Sequence, residues 1–296
     1  MSALQQMLLG AGGAAAAIKA IFGYGYTTAA VSMTNLVSST GVVATDTTGV
    51  GTARLYLAAA GYGTDKAIFG YGITTAVSNL VSNTGVVATD TAGVGTARYG
   101  LAAAGYGANK AIFGYGFNGV PFSLTNLVSS TGVVATDTTG VGTARLYLAA
   151  AGYGTDKAIF GYGTFSGNYS MTNLVSNTGV VATDTTGVGT ARAYLPAAGY
   201  GTDKAIFGYG FTTANVSMTN LVSNTGVVAT DTTGVGTARR ELAAAGYGTD
   251  KAIFGYGYTT VELSITNLVS STGVVAADTT GVGTARRTLA AASYGS

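Results

Sequence analysis

Residues 57–72 read Leu-Ala-Ala-Ala-Gly-Tyr-Gly-Thr-Asp-Lys-Ala-Ile-Phe-Gly-Tyr-Gly, and this stretch recurs along the chain with few changes. Its Ala-Ile-Phe-Gly-Tyr-Gly part occurs six times, about 47 residues apart with one shorter interval of about 44; the copies begin at Ala20, Ala67, Ala111, Ala158, Ala205 and Ala252. Repeats this similar are expected to fold as one array, in which each unit buries its faces against its neighbours. We therefore predict one repeat domain over residues 18–296, preceded by an N-terminal attachment segment, residues 1–17.

Each repeat contains four segments of strand length, separated by turn signals. In the first full unit, strands A to D are expected at about 56–62, 66–71, 77–82 and 85–89. Four short strands in a repeat of about 40 to 50 residues are typical of a β-propeller blade, whereas the coil of a β-helix is about half as long. The sequence thus predicts an all-β fold, a six-bladed β-propeller of four-stranded blades.

The two ends of the repeat region predict how such a ring would close. The region begins in a B strand, at about 19–24, and ends in an A strand, at about 288–295. We predict that the C-terminal strand completes the first blade and closes the ring. The alternative is that residues 12–18 supply this strand, but they lack the Arg that precedes the other A strands, as Arg286 does at the C-terminal end.

Composition and charge exclude several classes of partner. Apolar residues make up 47% of the chain and charged residues 9%, which is typical of a globular protein with a large core. The formal net charge of +2 hides repeats that are nearly neutral, each with one Lys, one Arg and one or two Asp. Because such a surface has no basic stripe, we expect no nucleic-acid binding. The longest apolar stretch, residues 7–18, is too short to span a bilayer, so we expect no membrane insertion.

Catalytic and metal chemistry has few residues available in this chain. Cys and His are both absent, which removes thiolate and imidazole chemistry and most transition-metal sites. Arg54 and Asp46 recur once per repeat, so we assign them a structural task in which the Arg bonds turn carbonyls or an Asp in a neighbouring loop. We predict no cofactor, no metal site and no enzymatic activity. A sialidase-like, glycan-cleaving enzyme is the alternative, but it needs an acid and a nucleophile, and the only Glu residues are Glu241 and Glu262.

Two resemblances to known proteins extend this interpretation. Arg54, the small-residue strand after it and the sequence Lys-Ala-Ile-Phe-Gly-Tyr-Gly at 66–72 resemble the kelch repeat, in which an Arg precedes strand A and a diglycine ends strand B. The resemblance covers about residues 18–295, although Gly-Tyr-Gly replaces the adjacent glycines and the Trp of strand D is missing. The near-identical repeats and the opening Met-Ser-Ala-Leu-Gln-Gln-Met-Leu-Leu-Gly also resemble virion and tail-fibre proteins of tailed phages. That resemblance implies an extracellular virion location, attachment to other virion proteins through residues 1–17, and a homo-oligomer in the particle.

The copies differ mainly in two places, the loop after strand B and the two residues after the repeated Arg. Antiparallel alternation puts both places at the same end of every blade. Their aromatic, amide and non-repeated charged side chains suit recognition of a sugar or a protein, while drift in unconstrained loops explains the differences equally well. The ligand-binding residues predicted at this face are Tyr56, Tyr99, Phe117, Asn118, Phe122, Tyr147, Phe165, Asn168, Tyr169, Tyr194, Phe211, Asn215, Arg240, Glu241, Tyr258, Glu262 and Arg287.

The leading hypothesis is therefore a non-enzymatic phage virion surface or tail-fibre protein. It would adhere to a host-surface glycan or protein receptor through the variable-loop face of the propeller. The first alternative is a purely structural virion component that packs against other subunits. The second is the glycan-cleaving enzyme.

Overall fold

The computed structural model describes residues 18–295, so the predicted attachment segment, residues 1–17, lies outside the described residues. The described chain folds into strands arranged as six three-stranded antiparallel sheets. The predicted all-β class and the sixfold repetition are confirmed. Residues 18–295 contain no helix, and hence none with the length and apolarity needed to cross a membrane.

The strands follow the repeat along the chain, and each sheet has a central strand that begins at the repeated Lys. The sheet orders are β18-β1-β2, β3-β4-β5, β6-β7-β8, β9-β10-β11, β12-β13-β14 and β15-β16-β17. The strand bounds are β1 Lys19–Tyr26, β2 Ala30–Val37, β3 Ala58–Tyr62, β4 Lys66–Gly70, β5 Ser78–Val81, β6 Ala102–Tyr106, β7 Lys110–Phe117, β8 Pro121–Val128, β9 Ala149–Tyr153, β10 Lys157–Gly161, β11 Thr172–Val175, β12 Ala197–Tyr200, β13 Lys204–Gly208, β14 Thr219–Val222, β15 Ala243–Tyr247, β16 Lys251–Tyr258, β17 Glu262–Val269 and β18 Ala290–Tyr294.

The prediction of four strands per repeat was wrong, because the D segment does not form a strand. Only isolated bridges, such as Val81 to Val87 and Ser78 to Thr91, tie it to the third strand. Between these bridges the buried Asn79 side chain donates a 3.0 Å hydrogen bond to the Ala88 carbonyl. A side-chain amide thus occupies a place that a continuous ladder would give to a backbone amide.

Both ends of the described chain lie in one sheet. Strand β18 pairs antiparallel with β1, from Lys19 opposite Tyr294 to Gly23 opposite Ala290. Each sheet is open and does not close on itself as a barrel. The first strands of the sheets contact one another in the order β3, β6, β9, β12, β15 and β18, and β18 contacts β3.

The core lies between adjacent sheets and depends on a glycine in the central strand. Ile68 and Phe69 of β4 are fully buried. The Phe113 ring of the next sheet packs against Gly70, where a Cβ atom would lie 2.7 Å from the ring. The same ring lies 5.1 Å from the ring centre of Tyr71. Because Gly70 has no side chain, the two apolar sheets can approach closely, which explains why this position is Gly in all six repeats.

Candidate functional site

The repeated arginines are buried and make structural contacts, although Arg54 Nε lacks the hydrogen bond that its equivalents form. The buried Arg98 donates from Nη2 to Asn126 Oδ1 at 2.6 Å, from Nη1 to the Thr96 carbonyl at 3.0 Å and from Nε to the Tyr115 carbonyl at 2.7 Å. Its guanidinium lies 4.5 Å from the ring centre of Tyr71 in the neighbouring sheet. The sequence interpretation anticipated the turn carbonyls but missed the Asn, although Asn-Leu-Val recurs in every repeat. These arginines are consequently not available to hold a ligand.

The second residue after each of these arginines lies at the point where all six sheets meet. Each has a positive φ, and its backbone amide donates to the carbonyl of its equivalent in the neighbouring sheet, at 2.7 to 3.0 Å. The six bonds form a cycle through Tyr56, Thr288, Glu241, Tyr194, Tyr147 and Gly100, and return to Tyr56. The same six residues, with the Leu and Ala residues that follow them, line a cavity of about 130 Å³. We call this cavity, together with the two variable places beside it, the variable end.

One side of the variable end is aromatic because Gly100 has no side chain. A Cβ atom at Gly100 would lie 3.0 Å from the Tyr147 ring. The Tyr147 ring instead extends over Gly100. Its centre lies 5.1 Å from the ring centre of Tyr56, and it stacks on the Tyr194 ring at a centre distance of 4.0 Å. The members of this aromatic half, joined by ring-centre distances of 4.0 to 6.3 Å, are Tyr56, Tyr99, Phe117, Tyr147 and Tyr194.

The other side of the variable end is charged and centres on Glu241, whose side chain is only 7% exposed. Arg287 Nη1 lies 3.6 Å from its Oε2, and Arg240 Nε lies 3.7 Å from its Oε1. These distances mark ion pairs rather than short hydrogen bonds, and Glu241 Oε2 has no hydrogen-bond partner among the described residues. Burial raises the pKa of Glu241, and the two arginines offset this only in part.

Aromatic rings hold the two arginines of this charged half. The Arg240 guanidinium lies 4.7 Å from the ring centre of Phe211, and that of Arg287 lies 4.3 Å from the ring centre of Tyr258. Arg287 also approaches Glu262, with Nε 3.4 Å from Oε1. Tyr56 lies where the aromatic half meets the charged half, and burial together with the neighbouring Glu241 carboxylate raises its pKa. The residues of the charged half are Phe211, Asn215, Arg240, Glu241, Tyr258, Glu262 and Arg287.

Of the predicted residues, only Tyr56, Tyr147, Tyr194 and Glu241 line the cavity itself. Five others lie in or beside two of the loops that follow second strands. Phe165 is 54% exposed at the tip of its loop. Asn168 donates to the Phe211 carbonyl at 3.2 Å, and the Tyr169 hydroxyl lies 2.9 Å from Ser166 Oγ. Asn118 is exposed and Phe122 is half-buried, and neither lines the cavity. These five residues, Asn118, Phe122, Phe165, Asn168 and Tyr169, form a rim.

Sequence reasoning missed two features of the site. Thr288 lines the variable-end cavity, which its place two residues after Arg286 would have indicated. A second cavity, of about 330 Å³, lies where the turns between first and second strands meet; five of the repeated lysines line it. We call it the lysine-end cavity. A second cycle of six backbone hydrogen bonds, of 2.7 to 2.8 Å, connects these turns; the donor and acceptor pairs are Gly63 to Asn109, Gly107 to Asp156, Gly154 to Asp203, Gly201 to Asp250, Gly248 to Ile18 and Gly295 to Asp65.

No protein-family model matches the chain, and no protein of curated function is similar to it. Within residues 18–295, no three or more His, Cys, Asp or Glu side chains are grouped so that they could hold a metal ion.

Proposed function

We propose that the protein is a non-enzymatic recognition module that binds a host-surface glycan or receptor group at the variable end. The observation that carries this proposal is the position of Glu241. This carboxylate departs from the repeat, is nearly buried and has an oxygen without a hydrogen-bond partner, and it lines the same cavity as the stacked rings of Tyr147 and Tyr194. A residue with a purely structural task is expected to be the same in every repeat. A residue that recognises a ligand is expected to differ from its equivalents in the other repeats.

The chemistry of the two halves favours an amphipathic ligand such as a sugar. Aromatic faces pack against the apolar face of a sugar ring. A carboxylate accepts hydrogen bonds from sugar hydroxyls, and guanidinium groups beside it donate hydrogen bonds to them. The cavity of about 130 Å³ is smaller than pockets that enclose a whole small molecule, which measure about 300 to 1,000 Å³. We therefore expect the cavity to hold a terminal group and the rim to contact the rest of the ligand.

We infer that the six sheets are the blades of a closed, kelch-like propeller. The two cycles of hydrogen bonds and the pairing of β18 with β1 support a ring of this kind. Ile18, the first described residue, lines the lysine-end cavity, at the end of the domain opposite the variable end. If residues 1–17 mount the protein on a virion, as its resemblance to phage proteins implies, the variable end would face away from the particle.

A glycan array tests this proposal with the full chain and three variants. Glu241→Gln removes the charge of the buried carboxylate, and Tyr147→Gly substitutes the residue that the chain itself carries at Gly100. Both should lower binding more than tenfold. The matched control is Asn177→Ser, which introduces the residue found at the equivalent position, Ser130. Asn177 lies at the end of the domain opposite the variable end, so this variant should bind as the wild type does. Equal binding by all four proteins would exclude the variable end as the site.

The glycan-cleaving alternative is favoured by one observation. Arg287 contacts both Glu241 and Glu262, so two carboxylates lie near each other, and burial raises the pKa of one of them. Product analysis on the bound glycans separates the two functions, because recognition alone leaves the glycan intact. The structural alternative predicts that Tyr147→Gly disrupts an oligomer instead of glycan binding, which a mass measurement of the assembled protein would detect.

A further inference from the structure

The lysine-end cavity is surrounded by cationic side chains. It lies at the opposite end of the domain from the variable end, and with about 330 Å³ it is the larger of the two cavities. Glycines of the first strands, such as Gly61 and Gly105, also line it, and a Cβ atom at Gly61 would lie 3.2 Å from the Ser293 carbonyl of the neighbouring sheet. The cationic residues in its lining are Lys66, Lys110, Lys157, Lys204 and Lys251.

Acidic residues in the same turns offset part of this charge. Four of the five lysines pair with the Asp that precedes them, at 2.7 to 3.3 Å. Of these four carboxylates only Asp250 lines the cavity. Asp156 and Asp203 also accept 3.1 Å hydrogen bonds from Asn177 and Asn224, in the turns that follow the third strands of their sheets.

Lys110 differs from the other four lysines. It follows Asn109 instead of an Asp, and among residues 18–295 no carboxylate oxygen lies within 4.0 Å of its Nζ. The turn that contains Lys110 neighbours the turn of Lys66, because Gly63 donates to the Asn109 carbonyl at 2.8 Å. Among the five lysines that line the cavity, Lys110 is therefore the one whose charge no described carboxylate within 4.0 Å offsets.

We propose that the lysine-end cavity binds a small multivalent oxyanion, a ligand with two or more phosphate or sulfate groups. Ammonium groups around one concave space reinforce one another's field, and each behaves as a point charge suited to oxyanions. A ligand with several charges contacts the lysines of several turns at once, while a monovalent anion contacts only one or two of these lysines. This site is independent of the proposed recognition function, because it lies at the other end of the domain.

Titration calorimetry on the full chain at low ionic strength tests the proposal, with inorganic tripolyphosphate and sucrose octasulfate as probes. At least one of them should bind, and the affinity should fall as salt is added, since salt screens charges on exposed lysines. A phosphate ligand and a sulfated sugar are distinguished by which probe binds more tightly. Acetate at the same ionic strength should not displace either probe.

Matched variants come from the repeats themselves. Asn109→Asp introduces the Asp of four other repeats beside Lys110 and should weaken binding about two- to fivefold. Asp156→Asn makes the reciprocal change and should strengthen binding by a similar factor. Lys110→Gln should weaken binding at least as much as Asn109→Asp.

Two results would overturn the proposal. The first is no binding of either probe at low ionic strength. The second is binding that Asn109→Asp, Asp156→Asn and Lys110→Gln all leave unchanged. If Arg287→Gln then weakened binding, the probe would be bound at the variable end. Thermal unfolding of each variant checks its fold, and the reciprocal pair keeps the test decisive because both of its members occur naturally in this chain.

Discussion

Thr284 donates to the carboxylate of Asp46, which lies 238 positions earlier in the chain. Its backbone amide lies 2.9 Å from Oδ2, and its hydroxyl lies 2.6 Å from the same oxygen. The five other junctions between neighbouring sheets have the same bonds; the pairs are Thr52 with Asp90, Thr96 with Asp137, Thr143 with Asp184, Thr190 with Asp231 and Thr237 with Asp278. The junction between the two ends of the chain is therefore built like the internal ones.

Removing this carboxylate should destabilise the protein. Asp46→Ala deprives the Thr284 amide and hydroxyl of their acceptor, and the Asn35 side-chain amide of one of its two acceptors. We expect the free energy of unfolding, measured by urea denaturation, to fall by about 1 to 2 kcal/mol. Asp137→Ala is the matched variant at an internal junction and should lose a similar amount. A loss at Asp137 with none at Asp46 would contradict the contact between the chain ends.

The six junction carboxylates should make stability depend on pH. Burial alone would raise the pKa of Asp46, but hydrogen bonds from Thr284 and Asn35 outweigh burial and lower it below its usual value. The same holds for its five equivalents. Because the folded-state pKa is lower than the unfolded one, of about 3.9, the stabilisation is present above that pH and is lost as the pH falls below it.

The urea midpoint should therefore stay nearly constant from pH 7 to about pH 5 and fall steeply below about pH 4. The double variant Asp46→Ala, Asp137→Ala should show a shallower fall. Glu241, whose pKa burial raises, acts in the opposite direction but is a single group. A midpoint that rises on acidification would show that the junction bonds do not stabilise the folded state.

Two equivalent arginines should differ in their contribution to stability. Arg98 donates from Nε to the Tyr115 carbonyl, whereas the buried Nε of Arg54 has no partner among the described residues. Lys cannot reproduce the planar guanidinium contacts, so Arg54→Lys should cost about 3 kcal/mol. Because of the additional hydrogen bond, Arg98→Lys should cost about 1 kcal/mol more than Arg54→Lys in the free energy of unfolding. Equal losses would contradict this assignment.

A methyl group at the contact between sheets should be poorly tolerated. In Gly114→Ala the new Cβ would lie 2.7 Å from the Phe160 ring, which is fully buried. We expect a loss of about 2 kcal/mol from overpacking. Gly167→Ala is the control, since no atom lies within 4 Å of its Cβ position, and it should change stability by less than about 0.5 kcal/mol. The measurement is thermal unfolding of the two variants. Equal midpoints would contradict the close contact between Gly114 and the Phe160 ring.

The central strands were predictable because their apolar residues and flanking turns lie close together in sequence. The missing fourth strand was not, because it depends on the Asn79 side chain, which bonds the Ala88 carbonyl. The two variable places lie next to each other, as at the bridge between Tyr99 and Phe117. Their division into an aromatic and a charged half could not be deduced, since it depends on how Tyr147 crosses Gly100 in space.

The sequence by itself determined that this protein consists of six β-rich units with a shared central strand, because alternation and turn residues act over a few neighbouring positions. Only the tertiary structure decided which side chains share a cavity. Glu241 and Tyr194 are separated by a whole repeat, yet they line the same cavity. They do so because the Glu241 amide donates a hydrogen bond to the Tyr194 carbonyl in the neighbouring repeat. Contacts between sheets also decided that Arg98 is buried against Tyr71 while Lys110 lines the lysine-end cavity.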